Sequence, residues 1–169
     1  MTLRGSLVCL AHMLLEVKLK LTSEMLGCDR RPDGVRRFIK TSNGNIKIGI
    51  EHWDWAFREA ASSLHRDVDT GCLHPNEGIP SPSLCLYQRQ FPDKKKPTHV
   101  RKEPFEAISR NCVLTFKIAL TEPRDVSRTP PTVGDVIDMF GFIGEFLGIS
   151  QWGNQFGFGR FTVLSVTAL

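Results

Sequence analysis

Gly148-Ile149-Ser150-Gln151-Trp152-Gly153-Asn154-Gln155-Phe156-Gly157-Phe158-Gly159-Arg160-Phe161 is the stretch on which the rest of the chain is organised. It follows an amphipathic helical pattern and precedes a final apolar alternating segment, so it joins a helix to a closing strand. Glycines in such a connection supply left-handed backbone or let main chain approach a neighbour closely. Trp152, Phe156, Phe158 and Arg160 are interleaved with them. Two roles stay open and are compatible. An amide-rich loop bearing flat side chains and a guanidinium suits phosphates and bases. The same residues equally suit the start of a strand whose aromatics enter the core while its glycines accommodate a bulge or a helix crossing.

On the N-terminal side of this stretch, Thr132 offers an N-cap with Asp135 three residues later, and Val136, Met139, Phe140, Ile143, Phe146 and Leu147 form an apolar stripe. Gly141, Gly144 and Gly148 lie on another strip and predict close packing along it. Residues 13–22 and Cys112–Leu120 alternate strictly, as half-buried strands do. Asn43-Gly44 between Val35–Thr41 and Asn45–Ile50 predicts a hairpin whose first arm carries a basic ribbon outward. His52–Leu64 reads as a helix through Trp53, Phe57, Ala60, Ala61 and Leu64, with Trp55 off the stripe. Residues 65–82 read as loop, Ser83–Gln90 as a short helix, and Phe91–Pro104 as a mobile connection or irregular strand pair.

The order of elements gives an α+β fold: a ferredoxin-like or RRM-like antiparallel sheet with two helices on one face, plus an inserted β-hairpin and a basic loop. Residues 1–12 fit no element and are expected to be a disordered or extended tail, leaving 13–169 as a single domain.

At 169 residues, with 41% hydrophobic and 24% charged side chains, the chain can build one core. No apolar run reaches the roughly 20 residues of a membrane-spanning helix. The start makes a poor signal peptide, so a cytoplasmic location is expected, or the host cytoplasm if the chain is phage-encoded. The five cysteines contain no C-x-x-C pair, which suits a reducing compartment. Cys72 and His74 with Asp67 and Asp69 sketch a polar loop rather than a zinc site, so no metal and no cofactor is expected. Nucleophile-elbow, phosphate-loop and HExxH patterns are missing, which leaves the common hydrolase, nucleotide and zinc-protease readings with little support.

Charge is segregated. Residues 89–102 hold Arg89, Lys94, Lys95, Lys96, Arg101 and Lys102 against Asp93, and residues 30–40 hold Arg30, Arg31, Arg36, Arg37 and Lys40 against Asp33. The excesses are +5 and +4 in a chain of net charge +4, so the remainder is −5. Such clustering fits phosphate backbones, and it equally fits solvated loops.

The helix, then Leu147-Gly148-Ile149, then Gly157-Phe158-Gly159-Arg160-Phe161-Thr162-Val163 resembles the C-terminal glycine-rich loop of the repeat-associated mysterious proteins, RNA-binding proteins of CRISPR systems built on RRM-like folds. Leu26-Gly27, Ile79-Pro80-Ser81 and the ending are also similar to small uncharacterised tailed-phage proteins. The first resemblance implies a single-stranded RNA or DNA binder whose glycine loop touches the nucleic-acid backbone, through Gly153, Gly157, Gly159 and Arg160. Some members of that superfamily are metal-independent endoribonucleases that use a histidine. Neither His12 nor His52 sits in a pattern that assigns that role.

The leading expectation is therefore a non-catalytic module for single-stranded nucleic acid, RNA ahead of DNA, acting as a homo-oligomer or as a subunit of a phage or CRISPR-like nucleoprotein assembly. Lys18, Lys20, Arg36, Arg37, Lys94, Lys95 and Lys96 would neutralise phosphates, and Trp152 and Phe158 would stack on bases. The alternatives are an endoribonuclease using His52 or His12, and a phage assembly subunit whose aromatic loop anchors a protein.

Overall fold

A computed structural model of the chain describes residues 13–76, 78–80, 82–92, 95–96, 98–150 and 157–169. Residues 1–12, and so the expected tail, lie outside the described residues. The elements in chain order are β1 (Met13–Leu21), β2 (Met25–Leu26), β3 (Asp29–Arg30), β4 (Arg36–Arg37), β5 (Ile46–Lys47), α1 (Ile50–Ser63), β6 (Leu73–Pro75), β7 (Gly78–Ile79), β8 (Leu84–Pro92), β9 (Val100–Ile108), β10 (Val113–Leu120), α2 (Val133–Phe142) and β11 (Phe161–Ala168).

Alternation along β1 buries Leu15, Val17, Leu19 and Leu21 completely and leaves Lys18 and Lys20 in solvent. Its partners are β10 on one side and β11 on the other, both antiparallel, and β6 extends the sheet to the order β11-β1-β10-β6. With α1 between β1 and β6, and α2 between β10 and β11, this is an α+β, RRM-like arrangement. The leucine and valine face of β1 packs under both helices. Trp53 and Phe57 of α1, Phe140 of α2 and Phe116 of β10 meet there, with ring centroids 5.4 to 5.8 Å apart. Each such aromatic pair adds about 0.5–1.5 kcal/mol to the area it buries. The other face of the sheet carries Lys18, Lys20, Lys117 and Thr162.

Thr132 caps α2 as its spacing predicts. Its hydroxyl accepts from Asp135 N at 3.1 Å, and the Asp135 carboxylate accepts from Thr132 N at 2.8 Å. Beyond Phe142 the helix widens into one π turn, Ile143–Leu147. That turn rotates Phe146 off the stripe, so Phe146 is half exposed where periodicity buries it. The glycine strip closes at Gly144, where a Cβ would lie 2.2 Å from the Phe161 carbonyl oxygen. A Cβ on Gly141 would meet open space.

Away from this sheet, β8 and β9 form a hairpin in unbroken register from Leu84↔Ile108 to Pro92↔Val100. Ser83–Gln90 is thus strand and not helix, and the segment up to Pro104 is mostly the distal half of this hairpin. Leu84, Tyr87 and Phe91 do recur at 3–4 spacing, but pairing with β9 along the whole of 84–92 satisfies the backbone groups as strand. The second edge of β9 pairs with β2 at Met25↔Ile108 and Leu26↔Ala107, and with β4 at Arg36↔Phe105. The turn at Asn43-Gly44 forms as expected. Gly44 takes φ 79°, and Thr41 N donates to Asn45 O at 2.8 Å.

Candidate nucleic-acid interface

Gly157, Phe158, Gly159 and Arg160 form the end of the glycine-rich segment, and the chain fastens them in place. Gly159 N donates to Glu24 O at 2.7 Å, and Gly159 O accepts from Ile149 N at 3.0 Å. Arg160 O accepts from Thr22 N at 2.8 Å, and Arg160 N donates to Ser23 Oγ at 2.9 Å. The residues after β1 therefore hold the C-terminal end of the segment. Gly159 has φ 68°, and a Cβ on it would sit 3.2 Å from both the amide nitrogen and Oγ of Ser150. The guanidinium of Arg160 donates to the Glu145 carbonyl at the end of the helix. This backbone role matches the structural one of the two readings left open for the loop.

Phe158 ties this segment to the hairpin. Its ring lies 5.8 Å from Tyr87, edge to face, and the Arg89 guanidinium sits 5.1 Å above its centroid. Leu26, Phe105 and Ala107 complete this second, smaller cluster. Partial burial pulls the Arg89 and Arg160 pKa values below the usual arginine range, although a guanidinium stays charged in a protein. Aromatic faces and fixed cations thus meet at the base of a hairpin whose far end carries exposed Lys95 and Lys96. Lys94, Trp152 and Gly153 lie outside the described residues.

The basic run at 30–40 behaves differently from its sequence. Arg36 pairs with Glu103 at 2.8 Å, donates to the Cys28 carbonyl at 3.3 Å and lies 5.9 Å from the Phe105 centroid. Arg37 pairs with Asp33 at 2.6 Å, Arg31 with Asp29 at 3.0 Å and Lys40 with Glu106 at 3.5 Å. Folding brings carboxylates onto this segment, so its first arm is an ion-paired floor for β9 and not an outward basic ribbon. Lys18 and Lys20 belong to the four-stranded sheet, with Lys18 3.3 Å from Glu16. They do not join the Phe158 cluster.

Tyr87 and Arg89 are the residues that sequence reasoning passed over as site members. Alternation of Cys85, Tyr87 and Arg89 against Leu84, Leu86 and Gln88 was the available signal. His52 opens α1, and its Nε2 lies 3.2 Å from the Gly148 carbonyl. With that oxygen as acceptor, Nε2 carries the proton, and burial pushes the imidazole pKa below 6.5 so that it is neutral at pH 7. Its role in these contacts is to hold the start of the glycine-rich segment against α1. His74 Nε2 lies 3.1 Å from Thr121 Oγ1, and among the described residues no three His, Cys, Asp or Glu side chains gather as a metal site. No described helix is long and apolar enough to cross a membrane.

No family model matches this sequence, and no curated protein sequence does. A solved structure does share its fold: a chain of the cryo-EM structure of the Type III-B Cmr-beta bound to cognate target RNA, with a TM-score of 0.63 and 9% sequence identity. The match covers 93% of this chain and 60% of that one, so this chain spans about three fifths of its structural relative. At that identity the likeness is one of fold: an α+β, RRM-like chain with two helices and several antiparallel sheets.

Proposed function

We propose that this chain binds single-stranded nucleic acid, RNA in preference to DNA, without transforming it, as a subunit of a larger nucleoprotein assembly. The observation that carries this reading is the junction of Phe158 with Tyr87 and Arg89 at the root of the β8–β9 hairpin. There a strand meets aromatic edges and a guanidinium beside the backbone of Gly157 and Gly159, and the lysines at the hairpin tip lie along its backbone. Stacking on aromatics contributes about 1–3 kcal/mol per base and tolerates any sequence. Lysines add a salt-dependent term through counterion release. The fold of the chain in the RNA-bound Cmr-beta complex supports RNA as the strand and an assembly as the setting.

Within this reading, Lys95, Lys96, Phe158, Gly157, Gly159 and Arg160 form the contact region. Lys18 and Lys20 contribute a second basic strip on the open sheet face. Arg36 acts by supporting β9 through Glu103, and Arg37 by its pair with Asp33. The catalytic alternative finds no support at His52, whose Nε2 is engaged by a backbone carbonyl.

Fluorescence anisotropy with labelled single-stranded RNA, single-stranded DNA and duplex at two salt concentrations tests the proposal. Salt-sensitive binding that favours the single strands, RNA first, is the expected result. Absence of binding at low salt overturns it.

A further inference from the structure

A strand at the edge of a sheet presents unpaired backbone groups, and folded chains guard such edges by shortness, bulges, proline or lysine. Among the described residues, the outermost strands follow that rule with one exception. β11 is bulged at Leu164, which is skipped between the pairs Leu19↔Val163 and Lys18↔Ser165. β6 is three residues long and ends in Pro75. β2, β3, β5 and β7 are two residues each. β8 is the exception: nine residues in unbroken register with β9, with Arg89 its one charged residue and proline only at its last position. Arg89 does not guard the edge, because its guanidinium lies over the Phe158 ring.

The direction of the backbone groups along β8 follows from its partner. Glu106 O accepts from Gly27 N at 2.8 Å, on the β2 side of β9 and away from β8. Leu86 stands opposite Glu106, and Gln88 opposite Pro104, which has no N–H to give. Bonded and non-bonded pairs alternate in an antiparallel ladder, so Leu84, Leu86, Gln88 and Gln90 turn their N–H and C=O groups to the outer edge. None of these groups has a backbone partner among the described residues. Leu86 on the same strand is 71% exposed.

We propose that β8 pairs with β8 of a second copy of this chain, antiparallel around a two-fold axis at Gln88, joining the two hairpins into one sheet. Charge and register select the copy as the occupant. An axis at Gln88 overlaps the whole strand, setting Leu84 against the partner's Pro92, Leu86 against the partner's Gln90 and Tyr87 against the partner's Arg89. Pro92, which cannot donate, then falls at the end of the ladder. No like charges stand directly opposite, and the one cation of each strand faces an aromatic ring. The lysine-bearing tips point in opposite directions. Because the axis is normal to the sheet, the junctions of Phe158 with Tyr87 and Arg89 from both copies lie on one face. That consequence rests on the nucleic-acid reading above, whereas the pairing does not.

Sedimentation equilibrium of the full chain without nucleic acid tests the pairing, with wild type, Gln88→Pro and Leu86→Lys compared. Wild type is a dimer that dissociates on dilution. Gln88→Pro removes an outward N–H and spares the β8–β9 ladder, and Leu86→Lys places a guard on the edge. Each weakens dimerisation by about tenfold or more and keeps the wild-type circular dichroism. Amide exchange followed by NMR is the second readout: Leu84, Leu86, Gln88 and Gln90 exchange more slowly in concentrated than in dilute wild type. A wild type that stays monomeric at NMR concentrations overturns the pairing, as does a dimer indifferent to both substitutions or an exchange rate at these amides that ignores concentration. If Gln88→Pro unfolds the chain, Leu86→Lys and the exchange rates decide. A monomer that binds single-stranded RNA refutes the pairing alone, and a β8-paired dimer that binds none refutes the nucleic-acid reading alone.

Discussion

Replacing Gly144 by alanine places a methyl group where the chain has left no room. The new Cβ would lie 2.2 Å from the Phe161 carbonyl oxygen and 2.8 to 2.9 Å from two atoms of its ring, and Gly144 is itself buried. Helix and strand must separate or the π turn must rearrange. Overpacking of this kind costs about 1–3 kcal/mol and more when backbone is the obstacle. Helix propensity offsets at most about 1 kcal/mol of that. A net loss of about 2 kcal/mol corresponds to a fall in melting temperature of roughly 4–8 °C for a chain of this size. Gly141→Ala is the matched control, because its Cβ meets nothing within 4 Å, and a gain of about 0.5–1 kcal/mol is expected from propensity alone. Thermal melts followed by circular dichroism read both. If Gly144→Ala melts at or above wild type, or Gly141→Ala is equally damaging, the helix is not pressed on β11 at Gly144 and the reasoning fails.

Glu103 is nearly buried between Arg36 at 2.8 Å and Arg101 at 3.6 Å, so Glu103→Ala strands a partly buried guanidinium. The expected cost is about 2–3 kcal/mol, less than the 3–5 of a fully buried pair, read as a lower urea midpoint. Neutralising Lys95 and Lys96 together should weaken binding to every single strand alike and reduce the salt slope by up to about 1.4, at about 0.7 per lost phosphate contact. For His52, burial holds the folded pKa below the ordinary 6.5, so the unfolded chain takes up the proton first as pH falls. Stability should be flat in this term above pH 6.5, decline below it until the folded pKa is passed, and lose that part of its slope in His52→Gln when melts are repeated across pH. Cys28, Lys47 and Glu51, the titratable groups that line a shallow cleft beside His52, stay unchanged in that variant.

The parts of the fold that were legible in sequence are those written in local periodicity. β1 and β10 alternate residue by residue, α1 and α2 carry apolar stripes, Thr132 and Asp135 mark a helix start, and Asn43-Gly44 marks a turn. The hairpin was not legible because its register depends on Leu84 meeting Ile108 and Tyr87 meeting Phe105, contacts that no local pattern announces. Prolines at 92, 97 and 104 made the same region look broken. Charge was legible as composition but not as surface, since Glu103 and Glu106 return from far along the chain to pair with Arg36 and Lys40. Phe158 and the glycines were singled out, whereas their junction with Tyr87 and Arg89 required the hairpin to be placed first.

Ultraviolet crosslinking of the wild-type chain to single-stranded RNA, with the linked peptides mapped by mass spectrometry, locates the strand on the protein. Crosslinks at Tyr87 and Phe158, lost under high salt, are the predicted result. Crosslinks confined to the helical side, for example at Phe142 and Phe146, with none at the hairpin junction, would contradict it.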